Sequence, residues 1–412
     1  MCGYTLILRG FFVLCVCALS CGCYQNGRDD FSIVSIDANK KYPELTLKIS
    51  DIADVSYIPL ETENVLFGSS VTPRQLFVCG DKIFIGDPYA PNPKLVVYDR
   101  TGTFVQILGS YGRGPGEYLS IGGFVVDTLT GKVTIYDNLQ GKLIVYDIDG
   151  KFRHERKLRE IYENQAEFSS IELISDDRLL AFNGYSLLVA KEDIQRPDGR
   201  YIARAGQAYN RGKTLMIIDN RTLSELPFSG FEYANPGTFM VFTIFSHLTT
   251  QREGVYLTSV RSDTIYFMNR NLEVVPKFRD ITNYGSSGFE ARLFPAAETE
   301  RYVLFSTELG QQEDNNIARR FFAYDKKSEK LFRLNSDLPE KNLEYFSQEY
   351  FMINDQLALT QFSLTLNHNY ASRLFSPLFL LEHYNRLPKE LKEITKSLKE
   401  DDNPVLMLIK FK

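Results

Sequence analysis

Apolar and polar positions alternate along this chain as a succession of short strands. Residues 94–104, KLVVYDRTGTF, and residues 142–152, KLIVYDIDGKF, align without a gap at an offset of 48 positions. Each is an apolar run with β-branched residues that ends on Asp and turns through Gly. Each then returns as a second strand, FVQIL at 104–108 and FRHERKL at 152–158. A further strand precedes each, DKIFIGD at 81–87 and GKVTIYD at 131–137. Short β-branched runs bounded by Asp and Gly are the signature of strands joined by tight turns. Weaker copies follow at TLMIIDNRTLSELPF (214–228), DTIYFMNRNLEVVPKF (263–278) and RRFFAYDKKSEKLFRL (319–334). They place Asp219, Asn269 and Asp325 where Asp99 and Asp147 stand, at intervals of 48, 72, 50 and 56 residues. A short polar side chain at a strand end bonds nearby backbone N–H groups. Its recurrence at every copy reads as turn chemistry rather than catalysis.

A single unit of this kind leaves two apolar faces open, and stacking units in a ring buries both. Four-stranded units at about 50-residue spacing therefore predict an all-β fold, a six-bladed β-propeller of antiparallel blades spanning residues 31–412. The long second interval predicts a loop or hairpin insertion near residues 184–212. The last blade is expected to combine YFMINDQLALTQF (350–362) with VLMLIKFK at the C-terminus and DVSYIPLET (54–62) near the N-terminus. One helix is predicted over PKELKEITKSLKEDD (388–402), just before the closing strand. Its Leu391, Ile394 and Leu398 form one apolar stripe facing the ring.

The N-terminal pattern differs. Arg9 precedes an apolar stretch from Phe11 to Leu19, followed by small residues. At about half the length of a membrane span, this reads as an export signal. Ala18-Leu19-Ser20-Cys21 resembles a bacterial lipobox, which makes Cys21 the expected lipidation site, with Cys23 as the alternative frame. Residues 1–20 are then a lipoprotein signal peptide and 21–30 a polar tether. The propeller is expected in the cell envelope, as an outer-membrane or cell-surface lipoprotein held to the membrane by its N-terminal lipid alone. Five of the six cysteines lie before residue 24, so they are no disulfide framework. Cys79, within LFVCGDK, is expected to be buried as a small apolar residue.

The formal net charge of −5 argues against nucleic acid as a partner. Histidines number only four, His154, His247, His368 and His383, with no metal-ligand spacing between them. No nucleophile elbow occurs. No catalytic residue, metal ligand or cofactor is assigned from the sequence. His154, in an outer strand, is read as facing solvent. His368 lies in TLNHNYASR, read as a polar loop in which His368 and Arg373 are ligand-contact candidates.

GRGPGEY at 112–118 links the outer strand of one unit to the inner strand of the next. It has neither the Lys nor the helix that a phosphate-binding loop needs. Gly114-Pro115-Gly116 has the residues of a tight turn. One reading is a rigid crossing that positions Arg113 and Glu117. The other turns Arg113 into the central funnel, onto an anionic group of a ligand. Glu117 and Tyr118 are further ligand candidates. Aromatic residues in predicted loops, Tyr89, Tyr111, Tyr118, Tyr284 and Tyr370, are candidate stacking surfaces.

DIADVSYIPLET (51–62), GSYGRGPGEY (109–118) and EDDNPVLMLIKFK (400–412) together resemble the NHL-like, six-bladed β-propeller lipoproteins of Bacteroidetes-type bacteria, whose functions are largely uncharacterised. The resemblance covers most of the mature chain and implies the fold and an envelope location, but no reaction. Two functional readings follow. The favoured one is a non-catalytic binding module for a glycan, a peptide or an envelope protein. The alternative is an extracytoplasmic hydrolase or lyase with its site in the funnel, an analogy at the level of fold.

Overall fold

The structure is a computed structural model. It describes residues 33–67, 76–88, 90–158, 170–175, 177–182, 187–188, 193–195, 201–203, 208–209, 215–228, 247–251, 253–258, 263–283, 293–308, 319–334, 365–367 and 370–412. Six small antiparallel sheets form a propeller ring. Blade 1 consists of Leu76–Cys79, Lys82–Asp87, Lys94–Asp99 and Phe104–Leu108, in that order from the axis outward. Blade 2 consists of Gly123–Asp127, Lys132–Asp137, Lys142–Asp147 and Phe152–Lys157. Blades 3, 4 and 5 start at Ser170–Ser175, His247–Gln251 and Leu293–Glu298.

Blade 6 closes the ring, with Thr365–Asn367, Tyr370–Phe375, Val405–Phe411 and, outermost, the N-terminal strand Ala53–Pro59. Both chain ends thus complete one blade, pairing Ala53 with Phe411 through to Pro59 with Val405. The inner strands differ from expectation. Residues 350–362 lie outside the described residues, and the stretch 365–373, read from sequence as a polar loop, supplies the first strand Thr365–Asn367 and most of the second, Tyr370–Phe375.

Alternation along each strand feeds two different inter-blade cores. In the second strand of blade 1, Phe84 packs toward blade 2 with Phe124 and Val133, while Ile83 and Ile85 pack toward blade 6 with Leu374, Leu406 and Leu408. In blade 5, Leu304 joins blade 6 while Val303 and Phe305 join blade 4. Successive side chains point to opposite faces of a strand, so a blade is apolar on both faces. Burying each such Phe contributes about 2 kcal/mol.

Two short strands precede the closing strand. Val34–Ile36 runs parallel to the outer strand of blade 4, and Glu44–Leu45 runs parallel to that of blade 5. The N-terminal segment is therefore a belt laid along blades 4, 5 and 6 in turn.

The connection from second to third strand of blade 3 carries two short strand pairs, Leu187–Leu188 with Ala208–Tyr209 and Asp193–Gln195 with Tyr201–Ala203. The same connection of blade 6 carries two helices. Lys389–Thr395 buries Leu391, with Ile394 and Leu398 packed beside it. Pro377–Glu382 was not expected. Ser376 caps it by accepting from Phe379 N at 3.2 Å, and Pro377 takes the first turn.

Antiparallel order sorts the connections by end. First-to-second and third-to-fourth turns leave one end of the strands, the hairpin end. Second-to-third connections and blade-to-blade crossings leave the other, the crossing end.

Candidate functional site

At the hairpin end, the recurring acids cap their own turns. Asp99 Oδ1 accepts from the N–H groups of Thr101 at 2.8 Å and Thr103 at 3.0 Å. Asp219 Oδ1 accepts from Arg221 and Thr222, Asn269 Oδ1 from Asn271 and Glu273, and Asp325 Oδ1 from Lys327. Asp147 Oδ1 accepts from Lys151 N at 2.8 Å. The carboxyls of Asp99, Asp147, Asp219 and Asp325 are all held below the usual range. The cause is the Thr101 hydroxyl at Asp99, the Thr222 N–H at Asp219 and the Arg301 guanidinium at Asp325. At Asp147 partial burial acts in the opposite sense and is outweighed by the Lys151 N–H and Arg153.

These turns also clasp the preceding blade. Gly102 O accepts from Glu61 N at 2.8 Å, just beyond the outer strand of blade 6. Gln106 of blade 1 donates to Ile148 O, and Arg156 of blade 2 donates to Thr222 O, both at 3.3 Å. Gly102 has φ +88°, and a Cβ there would stand 2.0 Å from Pro59 O. Only glycine fits.

The motif GRGPGEY occurs once in the sequence. Glu117 N donates to Gly114 O at 3.1 Å, with Pro115 and Gly116 between them and Gly116 at φ +72°. This is a type II turn, with Pro fixing the first central position and Gly supplying the positive φ. Glu117 Oε2 accepts from Gly114 N at 2.7 Å, so the Glu117 carboxylate ties the turn internally. Lys142, only 2% exposed, donates to Glu155 Oε2 at 2.9 Å and reaches Gly114 O at 3.4 Å. Glu155 Oε2 also accepts from Gly116 N at 3.0 Å, and Tyr146 donates its hydroxyl to Gly116 O. Gln140 Nε2 donates to Gly112 O, Glu117 O and Asp137 Oδ2 at 3.2, 3.3 and 2.7 Å. Asp137 also accepts from Leu119 N and the Ser120 hydroxyl, both at 2.7 Å. Every backbone group named here has a partner, so the loop is stiff.

Its position differs from the second reading of Arg113. The turn lies against Lys142, Tyr146 and Glu155, on the third and fourth strands of blade 2, toward the rim and away from the innermost strand. Arg113 is exposed, and among the described residues it has no hydrogen-bond or ion-pair partner. Tyr111 beside it is also exposed. Tyr118 is a correction. It is fully buried, donates its hydroxyl to Leu108 O at 3.0 Å and accepts from Leu95 N at 3.3 Å, and its ring cannot meet a ligand. Burial pushes its hydroxyl up to about 12.

Arg373 is also placed otherwise than expected. It lies in the second strand of blade 6, opposite Met407, buried at 9% exposure between Ala371 and Phe375. It shares no site with Arg113. His368 lies outside the described residues, as do Tyr89, Tyr284, Cys21 and Cys23. Tyr370 is half-buried at the hairpin end of blade 6, with the Arg100 guanidinium 5.8 Å from its ring centroid. His154, read as facing solvent, is half-buried, and its Nε2 is covered without a partner. Burial, with Lys132 nearby, pushes its pKa down. His383 shares its Nδ1 with Phe379 O at 2.9 Å and stacks on the Phe379 ring. Cys79 is buried, and burial pushes its thiol up. Among the described residues no group of three or more His, Cys, Asp or Glu is placed to hold a metal ion.

Sequence reasoning missed Lys142, Glu155, Gln140 and Asp137. A signal existed for the lysine. The repeat aligns Lys142 with Lys94, and Lys94 Nζ donates to Leu66 O in the preceding crossing just as Lys142 reaches Gly114 O.

Residues 31–410 match the family described as Domain of unknown function (DUF4934). Among solved structures, a Bacteroides fragilis protein whose name marks it as one expected to be exported is similar to 92% of this chain across 100% of its own length. The identity is 17% and the TM-score 0.60. A member of the duf4221 family from Bacteroides vulgatus aligns over 88% of this chain and 99% of its own, at 8% identity and a TM-score of 0.46. At such identities the likeness concerns the fold. None of the curated proteins matches the chain.

Proposed function

Starting from a chain that belongs to the DUF4934 family, a family description that assigns no activity, we propose a non-catalytic binding module. It is exported, carried on the envelope by a lipid at Cys21 (or at Cys23), and recognises a glycan, a peptide or a partner protein. The exported name of the Bacteroides fragilis protein supports the location, together with the apolar stretch Phe11–Leu19 and the lipobox-like Ala18-Leu19-Ser20-Cys21.

The observation that carries the binding reading is the crossing at 109–118. Its backbone is tied by Glu117, Gln140, Lys142 and Glu155, yet Tyr111 and Arg113 project from it unsupported. Tyr and Arg on a preorganised backbone are the residue types that carry binding energy at interfaces. The stiffness keeps the ordering cost of binding low.

The test is an array of glycans and peptides probed with the purified protein, in parallel with the Tyr111→Ala and Arg113→Ala variants. Saturable binding to one class, weakened about tenfold or more by either substitution with no change in melting temperature, is the expected result. Affinity equal in all three proteins would sink the assignment of these residues, and turnover of a bound glycan would sink the non-catalytic reading. Labelling with a radioactive fatty acid tests the anchor. Label lost in Cys21→Ala is expected, and label retained there but lost in Cys23→Ala selects the second frame.

A further inference from the structure

From the outer edge of blade 1 we infer that this protein takes an extended, acidic strand of a partner protein as a fifth strand on Phe104–Leu108. The inference rests on the binding reading above and names the class of partner.

Ten large hydrophobic residues are exposed among the described residues, and three of them, Val105, Ile107 and Tyr111, lie on this edge strand or just beyond its end. Val105 and Ile107, 43% and 42% exposed, lie on the edge strand itself, and Tyr111 at 49% follows it directly. Leu139, 61% exposed, adjoins Gln140, which bonds Gly112. Apolar side chains exposed side by side along one edge strand differ from the singly scattered apolar residues of an ordinary surface.

The outer strands around the ring are not alike. Blades 4 and 5 have theirs covered by Val34–Ile36 and Glu44–Leu45, both parallel. Blade 6 receives its outer strand from the same belt. Blade 2 presents FRHERK, and charged side chains blunt an edge. Blade 3 ends in the two-residue strand Glu225–Leu226. Among the described residues, Phe104–Leu108 is the remaining long edge, paired only with Lys94–Asp99.

It also continues an established interface. The belt passes blades 4, 5 and 6 in ring order, and Glu61 then reaches blade 1, accepting from Phe104 N at 2.9 Å. It caps the start of the edge and leaves Val105–Leu108 beyond it. The belt supplies the chemistry of an occupant. Val34-Ser35-Ile36-Asp37 is apolar, polar, apolar, acidic, and its strand runs parallel to its host. On blade 1 the apolar residues of such a strand would meet Val105 and Ile107, and Arg113 is the cation for the acid. Backbone bonds along an edge give affinity, and alternate side chains give specificity.

The test pans the full-length protein against a displayed library of random nine-residue peptides and measures the enriched peptides on Ile107→Lys, Arg113→Glu and, as control, Lys157→Glu on the blade 2 edge. Enrichment of peptides alternating β-branched and acidic residues is expected, with binding weakened about tenfold or more by Ile107→Lys and by Arg113→Glu and unchanged by the control. Peptides that need Arg113 but ignore Ile107→Lys would overturn the edge while leaving the binding reading standing. Failure to enrich any peptide, while a glycan binds through Tyr111 and Arg113, would do the same. Sedimentation of the protein alone adds the last arm. A dimer abolished by Ile107→Lys would make a second copy the occupant and overturn the inference.

Discussion

The two ends of the blades solve different problems with similar residues. At the hairpin end, Asp99, Asp147, Asp219, Asn269 and Asp325 repeat one device, a side-chain oxygen accepting from the N–H groups of its own turn. Three of those turns, around Gly102, Ile148 and Thr222, reach the blade before them. At the crossing end, Glu117 and Asp137 are acids too, but they tie a loop whose sequence occurs once in the chain and which holds Tyr111 and Arg113 outward. What the chain repeats holds the ring together. What it builds once is free to recognise something.

The largest break is expected at the clasp. Gly102→Ala places a Cβ against Pro59 O in a left-handed conformation, and a loss of about 3 kcal/mol in denaturant unfolding is predicted. Next is the tie beneath the crossing. Lys142→Met removes the cationic partner of Glu155 and one of the two donors to Gly114 O, and should lower unfolding free energy by about 2 kcal/mol. It should also weaken any ligand that needs Arg113, because the turn loosens. Acid acts on the hairpin end. The carboxyls of Asp99, Asp147, Asp219 and Asp325 are lower folded than unfolded, so their contribution is complete above the unfolded value of about 4 and is lost as pH falls through the folded values. Melting temperature should therefore fall on acidification from about pH 5 downward. Asp147→Ala should flatten that slope and cost about 1 kcal/mol at neutral pH.

Much of this division was legible in the sequence. KLVVYD and KLIVYD disclosed the blades, the recurring Asp disclosed the capped turns, and Gly114-Pro115-Gly116 disclosed a turn that needs a positive φ. What was missed depends on the third dimension or on very short segments. Tyr118 reads as a loop aromatic until the fold turns its hydroxyl onto Leu108 O. Residues 365–373 read as polar because Asn367, Asn369, Ser372 and Arg373 interrupt them, yet Ser372 and Arg373 are buried in the second strand of blade 6. The belt strands Val34–Ile36 and Glu44–Leu45 have three and two residues, too few for any period to show. Lys142 and Glu155 are thirteen positions apart, and only the register of blade 2 brings them beneath Gly114 and Gly116.

The central claim is that Tyr111 and Arg113 serve recognition, whereas the repeated turns serve the ring. It is tested most directly by denaturant unfolding of the Tyr111→Ala/Arg113→Ala double variant beside the single variant Asp147→Ala. The account predicts that the double variant unfolds within about 0.5 kcal/mol of the parent, while Asp147→Ala loses about 1 kcal/mol. A double variant destabilised as much as Asp147→Ala would contradict it, since Tyr111 and Arg113 would then be part of what holds the ring.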